Sequence, residues 1–311
     1  CCRGALTQLR GYVVMVKFRF FSSPNNSSPF RQLWRLFQRN HFALVASWVF
    51  AFMLLMAILG PLLAPYSPYM QQSDMLLVPP SWDVNGFIQS PFGTDALGRD
   101  ILSRILVGIS YSFGLGILAV ILALSLGLLI GTLAGFSKGV KASFLNHVLD
   151  IALTMPSLLI AIVIVAILGP GIANSFWAVV LAMLPQFIHH IRTEVTDMLD
   201  KDFVIAYRLD GANNMQVFRF ALLPNMIENI IIFSTMAISS SVLDIVVLGF
   251  IGIGAQSPEP ELGTMIADSL GVFYLSPWTV MLPGITLFLC ILSTNIVGDG
   301  LRHALKERRL Q

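Results

Sequence analysis

The hydrophobic positions of this chain fall in long runs instead of alternating with polar ones. A membrane-spanning helix needs about 20 mainly apolar residues. Six stretches reach that size: 42–64, 112–135, 145–169, 173–189, 227–252 and 278–297, the fourth being the shortest. They predict an all-α, polytopic membrane protein with six transmembrane helices. The polar intervals divide the chain into an N-terminal segment at 1–41, a first span at 42–64, an outer loop at 65–111, a core at 112–299 containing an inner loop at 190–226, and a tail at 300–311. Pro156, Pro185 and Pro283 interrupt the third, fourth and sixth spans. Such breaks persist in membranes where neighbouring helices or a cavity satisfy the freed carbonyls.

Within the second span Gly127, Gly131 and Gly135 recur every fourth residue, so one helix face lacks side chains and invites close approach by another helix. Ahead of the first span Phe30, Leu33, Trp34 and Phe37 recur at helical spacing, with Arg31, Arg35 and Arg39 in a separate stripe. That pattern predicts an amphipathic helix lying in the membrane interface. Ser22 to Pro29 reads as the flexible stretch before it. Cys1 to Val14 fits no element; the expected start is Met15, with residues 1–14 not native and a lipid-modified Cys1 the alternative.

Composition agrees with the pattern. Hydrophobic residues make up 56% and charged residues 12%, against about 25% charged in soluble proteins, which excludes a soluble globular enzyme. The charges are too sparse and scattered for a nucleic-acid footprint. Cys1, Cys2 and Cys290 form no disulfide framework or metal-ligand spacing, so no metal and no cofactor is expected. Basic residues orient the spans. Of the 19 Lys and Arg only Arg99 and Arg104 fall on the outer side, where Asp74, Asp83, Asp95, Asp100, Glu259, Glu261 and Asp268 make the loops acidic. Both termini are therefore cytoplasmic.

Two loops and two carboxylates carry the chemistry. The outer loop, long for a structureless connection and hence functional, contains Phe92-Gly93-Thr94-Asp95-Ala96-Leu97-Gly98-Arg99-Asp100. It is expected to face a binding protein or gate a path, with Arg99 and Asp100 as structural ion-pairing residues. In the inner loop Phe203, Ala206, Tyr207 and Asp210 share one helix face, and Gly211 supplies a helix stop ahead of Leu223-Pro224-Asn225. A short projecting helix of this kind suits docking in a partner's groove, and an isolated surface helix has the same pattern. Asp244 sits roughly 25 Å along the fifth span, counting from Ile227. A carboxylate there must face protein or water. Two readings stand side by side: a counter-charge for a cationic solute, and a carboxylate hydrogen-bonded to Ser239–Ser241 or a neighbouring helix. Asp150 reads as a solvated helix-end carboxylate. His189 and His190 are adjacent, so they point about 100° apart on a helix and read as interface polar residues rather than ligands.

Gly93-Thr94-Asp95 through Arg99-Asp100, the Ala206 to Gly211 to Leu223-Pro224-Asn225 spacing, and Gly252 through Gln256, Pro258 and Pro260 resemble the oligopeptide and dipeptide class of ABC-transporter permeases from about Phe30 onward. The resemblance implies a type I importer permease fold in the bacterial inner membrane. It also implies that the inner loop is the family's EAA loop, with Phe203, Ala206, Tyr207, Arg208, Asp210, Gly211, Leu223 and Pro224 receiving the ATPase. Ile205 and Tyr207 stand where the pattern has glutamate and its second alanine, and Ala221 replaces the usual isoleucine. Further phrases, Leu145-Asn146-His147 and Pro277-Trp278-Thr279-Val280 among them, look most like the Sap branch, linked with antimicrobial-peptide resistance and polyamine transport. That likeness implies a second permease of the SapB type, two ATPases of the SapD and SapF type, a periplasmic binding protein of the SapA type, and membrane lipids around them. Generic di- and oligopeptide uptake is the alternative.

The residues themselves bear on the energy source. The chain has no Gly-x-x-x-x-Gly-Lys-[Ser/Thr] phosphate loop, so it is expected to be a non-catalytic subunit that borrows ATP hydrolysis. An intramembrane aspartyl protease is excluded because Asp150 and Asp244 follow leucines and lack the Tyr-Asp and Gly-x-Gly-Asp contexts. A proton-coupled carrier using Asp244 is the rival of a different class, and it has no use for a docking helix at Gly211.

Overall fold

In the computed structural model, which describes residues 29–137 and 139–310, the chain is helical, and among those residues only an isolated bridge between Thr94 and Asp100 has β character. In chain order the helices are α1 (Pro29–Gln38), α2 (His41–Leu63), α3 (Ile101–Phe136), α4 (Val140–Leu153), α5 (Ser157–Leu168), α6 (Ile172–Leu199), α7 (Asp202–Leu209), α8 (Asn214–Ile251), α9 (Leu262–Ser269) and α10 (Trp278–Leu310). Helices α2, α3, α6, α8 and α10 are long and apolar enough to cross a membrane, and Asn146–Leu153 of α4 with α5, bent by 94°, makes a sixth where the pair counts as one span. The readings placed on Met15, Cys1 and the stretch before Pro29 lie outside the described residues.

Only one of the three expected proline interruptions breaks a helix. Pro156 precedes α5 at the bend, whereas Pro185 and Pro283 lie inside continuous helices, as Pro61 does. Proline alone does not break a membrane helix, because neighbouring helices can satisfy the freed carbonyl. Helix ends also differ from the apolar limits. The fourth span is not short: α6 runs 28 residues, about 42 Å at 1.5 Å per residue, and projects beyond a hydrocarbon core of about 30 Å. Beyond His189 its inward positions stay apolar, with Ile191, Val195 and Met198 buried. The helical period persists where hydropathy falls. The second span likewise starts early, at Ile101, passing through a π-helical turn at Ser110–Gly114.

The glycine stripe does what its spacing implies. Gly127, Gly131 and Gly135 of α3 face Phe187, Ile188, Ile191 and Val195 of α6 so closely that a Cβ on Gly127 would lie 2.6 Å from Phe187 Cβ. This pairing builds the main core, completed by Ala161 and Val165 of α5 and Ala237, Ile245 and Leu248 of α8. A second core joins α2, the start of α3, α8, α9 and α10 around Phe113, Val242, Leu262 and Cys290.

Helix α1 is amphipathic as expected, but its apolar face is not simply laid on lipid. Phe37, Leu33 and Leu36 pack with Ala43, Leu301 and Ala304, clamping α1 to the far end of α10. Gly300 makes the approach possible, since a Cβ there would sit 2.9 Å from the Phe37 ring. Trp34 remains half exposed beside that contact.

Candidate functional site

Helix α7 is held by a single anchor. Val204 is fully buried among Ile191, Val195 and Met198 of α6 and Val217, Ala221, Leu222 and Met226 of α8. Every other residue of α7 is exposed. Its join to the next helix is nonetheless rigidly made. At the C-terminus Ala212 N–H donates to Tyr207 C=O at 3.1 Å and Gly211 N–H to Arg208 C=O at 3.0 Å, the paired bonds of a Schellman motif. Gly211 occupies the left-handed region at φ +85° that this motif requires. Two residues on, Asn213 and Gln216 cap one another reciprocally and start α8. The chain therefore makes a fixed helix–turn–helix rather than a loose loop.

The expected coupling residues are brought together here only in part. Phe203, Ala206, Tyr207, Arg208 and Asp210 are exposed on the projecting helix, and so are Ile205 and Leu209, the latter 83% exposed. Leu223 and Pro224 sit instead inside α8, Leu223 half-buried and Pro224 exposed. Directly before them lies a π-helical turn at Val217–Leu222. Proline lacks the N–H for a regular helical bond, and a widened turn accommodates that loss. Beside Phe203, a cleft of about 370 Å³ is lined by Glu194, Asp197, Lys201, Asn225 and Asn229. Asn229 donates to Glu194 across it at 2.7 Å.

Asp244 is buried against protein, not lipid. Its Oδ2 accepts from Ser157 Oγ at 3.1 Å, the first residue of α5 after the Pro156 break. The nearby serines do not reach it: Ser241 donates instead to Gly116 C=O at 3.0 Å. No salt bridge joins Asp244 to a cation among the described residues. Along α8 toward the cytoplasm, Phe233 lines a cavity of about 390 Å³ with Leu153, Gln186, His189, His190 and Thr193. His190 stacks on the Phe233 ring at 4.3 Å. The sequence reading treated the two histidines alone and missed this polar stripe. Its signal was Gln186, His189 and Thr193 at helical spacing.

The outer loop is stitched down by buried charge. Arg99 Nε donates to Asp95 Oδ2 at 2.6 Å, and Arg99 reaches Asp268 of α9 at 3.9 Å. Arg104, also buried, lies 3.8 Å from Asp95 and donates to the carbonyls of Pro68 and Pro258. Asp100 caps α3 by accepting from Ser103 N–H and Oγ. Tyr69, still 43% exposed, donates to Glu259 at 3.0 Å, and partial desolvation with the hydrogen bonds to Tyr111 and Glu259 raises its phenol pKa.

Glu261, which the sequence reading treated only as an outer charge, is fully buried. It accepts from Ser112 Oγ at the π turn of α3 and from Thr264 N–H and Oγ1 at the start of α9. Burial, more than any of these contacts, shifts its carboxyl upward.

Comparison with known proteins places this arrangement. Residues 127–311 match the family described as the binding-protein-dependent transport system inner membrane component, and residues 28–80 the N-terminal transmembrane domain of oligopeptide transport permease C. The chain is 40% identical to the peptide transport system permease protein SapC of Escherichia coli over 92% of its length and 96% of that protein. It is 41% identical to the di/tripeptide transport system permease protein DppC of Pseudomonas aeruginosa over 90% and 93% of the two chains. The dipeptide permease DppC of Escherichia coli is 38% identical over 94% and 98%. Among solved structures, a chain of the inward-facing MetNI methionine ABC transporter superposes with a TM-score of 0.52 at 16% identity, over 65% of this chain and 96% of that one. That likeness concerns the fold alone.

Proposed function

This chain belongs to the inner-membrane permeases of binding-protein-dependent ABC transporters, in the oligopeptide and dipeptide class, and from that premise we propose that it forms half of a peptide channel driven through α7. It is a multi-pass subunit of the bacterial inner membrane, and family membership sets aside the stand-alone proton-coupled carrier. As an ABC importer permease it works with ATPase and binding-protein partners. The observation that carries the coupling role is the exposure of α7. One buried valine holds a helix whose Phe203, Ile205, Tyr207 and Leu209 face outward. Exposed apolar residues grouped at one projection mark an interaction site.

In this reading Phe203, Ala206, Tyr207, Arg208 and Asp210 contact the ATPase, Gly211 fixes the angle of the helix, and Leu223 and Pro224 set the start of the fifth span. The rigid join to α8 carries displacement of α7 into the helix that holds Asp244. The substrate path runs along α8 between Asp244 and the cavity at Phe233, and Asp244 offers a counter-charge to a cationic peptide or polyamine. Likeness to SapC supports partners of the SapB, SapD, SapF and SapA types, a putrescine-like or antimicrobial-peptide cargo, and an outer loop facing the binding protein. Comparable likeness to DppC supports generic di- and tripeptide uptake.

Uptake of labelled dipeptide, basic peptide and putrescine by the complete complex in proteoliposomes separates these cargoes. ATP-dependent uptake of the cations, reduced at least tenfold in Asp244→Asn while neutral dipeptide uptake persists, is the expected result. Unchanged cation uptake in Asp244→Asn removes that residue from the path. Full uptake without the ATPases removes α7 from the mechanism.

A further inference from the structure

A cavity of about 450 Å³ lies where α1, the first turn of α2 and the last turns of α10 meet, lined by Leu36, Arg39, Asn40, His41, Phe42, Gly300, His303, Ala304 and Glu307. Three features set it apart from an ordinary packing gap. It combines a guanidinium, two imidazoles and an amide with one carboxylate. Arg39 and Glu307 form no ion pair within 4 Å, so the cavity keeps opposite charges apart. It also opens onto an apolar strip of α2: Phe42, Val45 and Trp48 are 82%, 65% and 78% exposed at helical spacing, and Phe52 and Leu55 continue the strip.

Position decides what such a cavity meets. His41 begins the first span, and the basic residues put this end of the molecule on the cytoplasmic face. The cavity therefore lies at headgroup depth and the strip at acyl-chain depth. A guanidinium and a carboxylate that line one cavity without pairing with each other complement a zwitterion whose phosphate and ammonium are separated by two carbons. A solely anionic headgroup leaves Glu307 repelling it, and a quaternary ammonium has no N–H to give the carboxylate.

We propose that this cavity binds the headgroup of an amine-bearing phospholipid of the inner leaflet, with Arg39 on its phosphate, Glu307 on its ammonium and an acyl chain along Phe42, Val45 and Trp48. Bound there, the lipid bridges the clamp between α1 and α10 without touching the coupling helix.

The test uses the intact complex in nanodiscs holding equal parts phosphatidylethanolamine, phosphatidylglycerol and phosphatidylcholine, with retained lipid identified by native mass spectrometry. Phosphatidylethanolamine is expected to be retained at least fivefold over phosphatidylcholine. Glu307→Gln removes that preference, and Arg39→Gln lowers retention of both lipids. A photoreactive phosphatidylethanolamine should label residues 36–42 and 300–307. Equal retention of the three lipids, preference for phosphatidylglycerol, or a preference unchanged in both variants overturns the proposal. Displacement by soluble phosphoethanolamine would assign the site to a free headgroup, and crosslinks from Trp48 to the second permease in place of lipid would assign the strip to that subunit; either result also overturns it.

Discussion

Replacing Gly127 or Gly135 by alanine tests the packing on which the core rests. An added Cβ lands 2.6 Å from Phe187 Cβ in the first case and 2.6 Å from Val195 Cγ1 in the second. Carbon atoms in contact prefer about 3.5–4.0 Å, so α3 and α6 must separate by roughly 1 Å along their shared face. Overpacking of this kind costs about 1–3 kcal/mol, partly offset by the roughly 0.5–1 kcal/mol that alanine gains over glycine in a helix. Gly284 provides the control. It lies inside α10 with nothing within 4 Å of its Cβ position, so Gly284→Ala keeps the backbone gain without the clash. The difference between the core and control variants should therefore equal the packing term, about 1–3 kcal/mol. Because one separation of the helices relieves both sites, the double variant should lose less than the sum. Thermal unfolding of the purified protein in detergent reads all four variants against the wild type. Core variants that melt together with Gly284→Ala would refute the close-packing argument.

Other expectations concern the outer face and the projecting helix. Asp95→Ala leaves Arg99 and Arg104 buried without their carboxylate and should destabilise the protein by about 3–5 kcal/mol, whereas adding Arg99→Ala should recover part of the loss in the same melting assay. Glu261 has a raised folded-state pKa because it is buried. Its stabilising contribution is present below its unfolded pKa of about 4.3 and is lost as pH rises through the folded value. Wild-type melting temperature, measured relative to Glu261→Gln, should therefore fall as pH rises from about 4; a flat difference contradicts the assigned burial. Gly211→Ala places a side chain at φ +85° with open space around it, so its effect comes from the backbone alone, roughly 1–2 kcal/mol, and transport should weaken with little change in substrate binding. Gly211→Pro cannot adopt that φ and removes the N–H bonded to Arg208, so ATP-dependent uptake should be abolished.

Much of this architecture was legible because membrane helices advertise themselves by length and apolarity. The glycine stripe and the stop at Gly211 each follow from local rules, and the helices carry them as expected. Where hydropathy and helical period part company, the sequence reading fell short. The α6 helix continues past His189 because Ile191, Val195 and Met198 keep its buried face, although the segment as a whole turns polar. Pro185 looked like a break and Pro156 is one, yet nothing local separates them; the helix runs on through Pro185, where Phe187 packs on Gly127 of α3. The partner of Asp244 lay 87 residues away on another helix at Ser157. Glu261 likewise meets Ser112 across 149 positions. Such long-range pairings leave no periodic trace.

The most direct test of the central claim is a photocrosslinking amino acid placed at Leu209, the most exposed of the large apolar residues of α7, in the assembled complex within its membrane. Crosslinking to an ATPase subunit, changing in yield between nucleotide-free and ATP-bound conditions, is the predicted result. A complex that transports peptide with ATP while Leu209 crosslinks only to lipid or to the second permease would contradict the assignment of α7 as the ATPase-coupling element.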